Sequence, residues 1–464
     1  MSCLKKVCLG CALFAAMAIG SSAQTVNTLH NFNGSDGSYP QYVVLTQGVD
    51  GLLYGTASSG GNFGFGTIFK QRAVGTGFVT LYSFTGTDDG AYPLAGLTLA
   101  TNGSFYGTTI EGGAYNNGEI FKMTPGGILT VLYSFTGGAD GIGPSAPPIE
   151  AIDGNFYGTT IGKTFAVFPT IYKLTPAGVL STVYTFPDTY DFPFAPLLQT
   201  ADGYLYATSG NGGSSNCGQI IKLTVSGVVK AIHSFDCNAG GVTPVGPPIQ
   251  ASDGNLYGTT LHGGTYGAGI IYKLDGKTGS FSVLYNFGSI PNDGYGPQAS
   301  LTEGSDGNFY GGTAIGGTAN AGTLFQVTPS GAYAQLYSFP TVLSEQAQEP
   351  YASPVQATGG AFYGPTLIGG SLGLGSIYRL NMGLRPFITF VRSQGMVGSK
   401  AQILGQGLTG TTSVTFNGVA ATKFSVVSDT YMTAVVPAGA TTGAVVVATP
   451  AGNLSSNVSF RIAH

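Results

Sequence analysis

The chain has no tryptophan in 464 residues, although Phe and Tyr number 28 and 26. Charge is scarce too: Asp, Glu, Lys and Arg make up 8% of the residues, against about a quarter in an average globular protein. Low charge with 43% hydrophobic residues excludes a charge-rich disordered chain. The 17 basic residues form no cluster that could neutralise a row of phosphates, so nucleic acid is excluded as a partner. The four histidines give no ligand set, and no metal centre is expected. Apart from a short stretch near the start there is no long apolar run, so no membrane-spanning helix is expected. Glycine is the opposite extreme, with 76 copies, but it follows no Gly-x-y period, which excludes collagen.

Residues 1–23 read as a cleaved secretory signal. Lys5 and Lys6 precede an apolar run from Val7 to Gly20, and Ser21-Ser22-Ala23 provides small residues before Gln24. The protein is therefore expected outside the cell or on its surface, and not as an integral membrane protein after cleavage. Three of the five cysteines leave with the leader. The remaining pair, Cys217 and Cys237, is expected to form one structural disulfide in that oxidising setting.

Internal repetition decides the architecture. A phrase such as DGLLYGT (50–56) recurs seven times, with its tyrosine at 54, 106, 157, 206, 257, 310 and 363. A second phrase, LYSF at 81–84, also has seven copies, from LHNF (29–32) to LYSF (336–339). Each unit of about 50 residues reads as four short strands between turn signals, the size of one β-propeller blade. The chain starts with a lone fourth strand, TVNTLHNF (25–32), and the seventh unit has only three. The expected fold class is therefore all-β: a seven-bladed β-propeller over 24–381, closed by the N-terminal strand.

These phrases resemble the GloVer-type tandem repeat proteins, a bacterial extracellular family. The resemblance covers 25–381, with departures at IGKTFAVF (161–168), which lacks the Gly-Gly of other units, and at Ala207, which replaces a glycine. From Pro386 the pattern changes. VTFNGVAA (414–421) and its flanks resemble an IPT/TIG domain, which implies an immunoglobulin-like sandwich over 386–464, here in the role of a surface spacer or contact module.

Candidate chemistry is thin. Asp50, Asp153, Asp202, Asp253 and Asp306 precede Gly in the first hairpin, where Asp-Gly suits a tight turn. Asp36, Asp89, Asp140 and Asp293 lie in the longer crossovers between units. There they could meet a ligand or offer oxygen to Ca²⁺, although no calcium loop of alternating acids occurs, so no cofactor is assigned. GGSLG (369–373) matches a nucleophile-elbow pattern in form only, since that motif needs a strand-to-helix turn. No catalytic residue is assigned, although Glu111, Asp188, Asp191 and Glu303 leave a carboxylate pair open.

The expected ligand face gathers the crossovers and the loops between second and third strands. It would present Tyr39, Tyr92, Tyr295 and Tyr351 from the crossovers, and Phe63, Tyr115 and Tyr266 from the Gly-Gly loops, near the four crossover aspartates. Aromatic faces beside hydrogen-bonding groups suit a polar ligand with apolar faces. The reading is a non-catalytic binding protein for polysaccharide or a cell-surface protein; the alternatives are an extracellular carbohydrate-active enzyme and a structural spacer.

Overall fold

The structure, a computed structural model, describes residues 24–162, 166–237, 240–340 and 347–463. Residues 1–23, expected to be a secretory signal, lie outside them, as do Lys163 to Phe165 of the irregular third unit. Each repeat builds one four-stranded antiparallel sheet. In unit two the strands are Thr98–Leu99, Phe105–Thr109, Glu119–Met123 and Leu129–Ser134. The first strand has only two residues in every unit. The N-terminal strand Thr25–Asn31 lies antiparallel to Ser376–Asn381 and makes the fourth strand of unit seven.

The expected fold class needs correction. The sequence reads as a closed seven-bladed β-propeller with an IPT/TIG sandwich, but among the described residues none of the twelve sheets is closed or curled on itself; each has a linear strand order. A two-residue first strand ends the ladder of each repeat unit, so neighbouring units meet through side chains and loops and not through continuous backbone pairing. The C-terminal segment likewise forms two four-stranded sheets and a separate parallel pair, Gln394–Gly395 with Arg461–Ile462, around one core containing Ile403, Phe416, Val447 and Phe460. What stands is an all-β chain of many small antiparallel sheets.

The repeated glycine has a packing cause. Gly55 faces Phe69 across the ladder, and a Cβ on Gly55 would lie 2.6 Å from that ring. The same opposition recurs at Gly107–Phe121, Gly158–Tyr172, Gly258–Tyr272, Gly311–Phe325 and Gly364–Tyr378. In unit four the facing residue is Ile221, and there the glycine is replaced by Ala207. The departure is therefore compensated: a smaller partner leaves room for one methyl group.

Three of these partners, Tyr172, Tyr272 and Tyr378, are fully buried, and their hydroxyls have no hydrogen-bond partner. Phenylalanine fills the same place in units one, two and six. Burial without a partner costs free energy that phenylalanine does not incur. Tyr172→Phe should therefore raise stability by about 1 kcal/mol in a denaturant titration, and a loss of stability would refute this account.

At the hairpin end, a Gln or Glu on the first strand ties each unit to its predecessor. Glu150 accepts from Thr101, Gln199 from Ile152, Gln250 from Ala201, Glu303 from Ser252 and Gln356 from Ser305. Gln47 accepts from the Thr358 backbone, which joins unit one to unit seven. Between units one and two the position is Leu99, and there Leu404, Val391 and Tyr431 of the C-terminal segment pack with Val49 and Leu99.

The same segment docks along these turns. Thr430 donates to the Val49 carbonyl, Gln402 to Thr101, Arg392 to Ala151 and Arg461 to Gln250. Gln394 reaches the Gln199 side chain at 2.9 Å. The C-terminal segment therefore covers the hairpin end of the repeats, and the crossover end is the opposite one.

Candidate functional site at the crossover end

Strand alternation puts the crossovers and the second-to-third loops at the end away from the C-terminal segment. Their backbones are locked together by one recurring device. The residue before the crossover proline is left-handed at Tyr39, Tyr92, Thr243 and Glu349, with φ between 55° and 58°. Glycine takes this position at Gly143 and Gly296. Its N–H donates to the loop of the preceding unit, as in Tyr92 to the Phe65 carbonyl and Thr243 to the Cys217 carbonyl. Its carbonyl accepts from the following unit, as Tyr92 does from Ile110. A non-glycine residue in this region is strained, and the paired hydrogen bonds on either side hold it there.

The crossover aspartates are the second device. Tyr82 donates to Asp89, Tyr133 to Asp140 and Tyr285 to Asp293, at 2.9, 3.0 and 2.7 Å. On the N-terminal strand that completes unit seven, His30 takes the tyrosine's place and meets Asp36 at 3.0 Å. The carboxylates also cap loop N–H groups, such as Thr85 on Asp89, Thr136 on Asp140 and Gly288 on Asp293. At Asp140 these hydrogen bonds outweigh the cost of burial and hold the carboxyl below its usual range. The four aspartates thus form loop clamps, with their oxygens turned to the protein's own donors.

The aromatic candidates are more open. Phe63, Tyr115 and Tyr266 stand at equivalent loop tips and are 57–59% exposed. Tyr39 and Tyr295 are exposed, and Tyr295 lies 6.3 Å from the His262 ring. Tyr92 and Tyr351 are half-buried. Tyr92 packs on Phe65 and Tyr351 on Tyr42, the latter pair edge to face at 6.0 Å. Burial and the neighbouring Glu349 push the Tyr351 hydroxyl up from its ordinary value. Tyr42, Phe168, Tyr190 and Phe194 are also exposed at this end, and sequence reasoning missed them. Tyr190 and Phe194 sit in the shortened crossover of unit four and Phe168 in the irregular loop of unit three, so none falls on a repeated phrase.

All nine exposed aromatics among the described repeat residues therefore stand at one end: Tyr39, Tyr42, Phe63, Tyr115, Phe168, Tyr190, Phe194, Tyr266 and Tyr295. The four carboxylates left open by the sequence are divided. Glu303 is at the hairpin end, accepting from Ser252, whereas Glu111, Asp188 and Asp191 are at the crossover end. Among the described residues no three metal-ligating side chains stand together, and no helix is long and apolar enough to cross a membrane.

Cys217 and Cys237 are disulfide-bonded, with Cα atoms 5.3 Å apart. The bond ties the loop before the third strand of unit four to the crossover after its fourth. Replacing both cysteines with serine should cost about 2–3 kcal/mol, a modest value because the strand ladder already restrains a loop of this size. Thermal unfolding of the double variant checks this; an unchanged midpoint would refute it.

The Gloeobacter/Verrucomicrobia repeat matches residues 15–193 and again 192–428. No curated protein matches the chain. Among solved structures, an oligogalacturonate lyase from Vibrio parahaemolyticus is similar at 13% identity and TM-score 0.47, covering 77% of this chain and 97% of that one. A fungal alcohol oxidase of the AA5 family, in complex with copper, is similar at 12% and 0.49, covering 92% and 98%. A GH74 enzyme from Niastella koreensis is similar at 14% and 0.45, covering 92% and 74%. Likeness at this level carries no chemistry from those proteins to this chain.

Proposed function

The chain belongs to the Gloeobacter/Verrucomicrobia repeat family, and from that premise we propose that it is an exported, non-catalytic binding protein whose crossover end takes polysaccharide. The observation that carries this reading is the placement of all nine exposed aromatics among the described repeat residues at that end, opposite the docked C-terminal segment. Aromatic faces stack on the C–H faces of sugars, and loops on a rigid scaffold are where binding concentrates. In this reading the aspartates act indirectly, by holding the loops that present the rings. Export is proposed from residues 1–23 and agrees with the disulfide, since such bonds persist in oxidising compartments. The same proposal keeps residues 24–381 as the ligand-bearing unit and 386–464 as the unit that covers its other end.

A glycan array tests the reading. Tyr266→Ala with Tyr295→Ala should lower retention on the best hit by about 100-fold, as expected when two exposed stacking rings are lost. An unchanged double variant would show that the face is wrong, and an array without a hit would favour a spacer.

One observation favours a second reading, an extracellular carbohydrate-active enzyme. Asp188 and Asp191 line a single cavity, and burial and the charge of Asp188 push the Asp191 carboxyl above its usual range. Paired carboxyl groups of unequal acidity are what glycoside hydrolysis uses. Release of reducing ends from the best array hit, lost in Asp191→Asn, would establish that reading.

A further inference from the structure

Unit four differs from the others where its crossover meets its Gly-Gly loop. In units three, six and seven this space is closed by a hydroxyl pair between second and third strands: Thr160 with Thr170, Thr313 with Thr323, and Thr366 with Ser376. In unit four the pair is Ser209 and Gln219, and the crossover is shorter, running from Phe186 to Pro193 where unit two runs from Phe84 to Pro93. The shorter path carries Asp191 inward. Its carboxylate receives Ser209 Oγ and Gln219 Nε2 on Oδ1, at 3.1 and 3.2 Å.

Asp191 is 1% exposed, and its Oδ2 has no partner. It lines a cavity of about 510 Å³ together with Asp188, Asn216, Gln219 and Ser234. Asp188 is exposed and accepts Tyr190 N–H on Oδ1, which leaves its other oxygen for the cavity. No lysine, arginine or histidine is among the lining residues. Two carboxylates thus converge on one polar space without a protein cation, and a buried carboxylate oxygen without a partner is costly.

We propose that this cavity binds a hard divalent cation of the calcium class. The donors are all oxygen: Asp191 Oδ2, the free oxygen of Asp188 and Ser234 Oγ, with water filling the rest of the roomy site. Calcium accepts six to eight oxygens in flexible geometry, whereas magnesium demands a compact octahedron. Soft donors are missing because Cys217, next to Asn216, is tied up in the disulfide. Two carboxylates place the affinity in the range of extracellular modules, roughly 10⁻⁴ to 10⁻³ M. Across the disulfide, the cation braces the unit-four loop against its crossover, and it occupies both carboxylates that the enzymatic reading would need.

Terbium luminescence tests the proposal, with the tyrosine side chains as sensitisers, on the whole chain after leader removal. A saturable signal displaced by millimolar Ca²⁺ is expected for the wild type. Asp191→Asn should weaken it by about tenfold or more, and Asp188→Asn by about tenfold, because ligand charge sets affinity at such sites. Asp275→Asn, in an exposed turn of unit five, should leave it unchanged. No Ca²⁺-displaceable signal, or equal signals from the wild type and both cavity variants, would overturn the site and assign a proton to the buried oxygen. If Asp191→Asn does not fold, the exposed Asp188→Asn decides alone. Glycan retention is read separately, so neither result stands in for the other.

Discussion

Deleting residues 24–32 should leave a chain without a cooperative thermal transition. Those residues supply the entire fourth strand of unit seven, paired with Ser376–Asn381 from Thr25 to Asn31. They also supply Phe32, which is fully buried in a core with Phe69 and Ile377, and Leu29, which packs against it. Losing a buried Phe and a Leu forfeits about 2–3 kcal/mol each, and each lost ladder bond adds about 1 kcal/mol. The total is comparable with the roughly 5–15 kcal/mol that typically holds a whole domain. Phe32→Ala is the milder companion and should cost about 3–5 kcal/mol. Circular dichroism during heating reads both. A deletion variant that melts cooperatively within a few degrees of the parent would show that this strand is dispensable.

Much of the local structure was legible because the repeat wrote it seven times. The Asp-Gly hairpins, the strand order within each unit and the spare first strand follow from recurring phrases, and the disulfide from the two cysteines that remain beyond residue 23. Tyr54, Tyr157, Tyr257 and Tyr310 even donate to the turn aspartate four residues earlier, which locks the hairpin. The relation between sheets was less legible. A propeller was expected from unit length and strand count, but neither records where a ladder stops, and the two-residue first strands stop each one.

The candidate site was legible only in its aromatic half. The crossover aspartates looked available because, in sequence, nothing announces that a tyrosine seven or eight residues earlier will turn its hydroxyl to them. Docking of the C-terminal segment left no trace either. Arg392, Gln402 and Thr430 all bond to backbone carbonyls, which every residue carries. The one hint was Leu99, the single apolar residue at a position that is Gln or Glu in the six other units.

The second large effect is a pH dependence centred on Glu119. This residue opens the third strand of unit two and is fully buried. Its Oε1 accepts from Ser134 Oγ at 2.6 Å, and its Oε2 has no partner. Burial pushes its carboxyl from 4.5 up to about 7; the charges of Asp89 and Asp88 add to the rise, and the Ser134 hydrogen bond opposes it. The folded state therefore holds a proton that the unfolded chain releases above pH 4.5. Between pH 4.5 and 7 the native state binds more protons, so this group lowers stability as pH rises, and the full loss is reached above pH 7. The size is about 3 kcal/mol, because each tenfold difference in proton affinity between the two states is worth about 1.4 kcal/mol. Glu119→Gln removes the titrating group, and Gln219 already occupies the same place in unit four. The variant should match the parent near pH 4.5 and exceed it by up to about 3 kcal/mol at about pH 8. Urea titrations of both proteins at the two pH values give the difference, in which the other titrating groups cancel. A variant that is equally offset at both values would show that the carboxyl is no weaker an acid in the native state than in the unfolded chain.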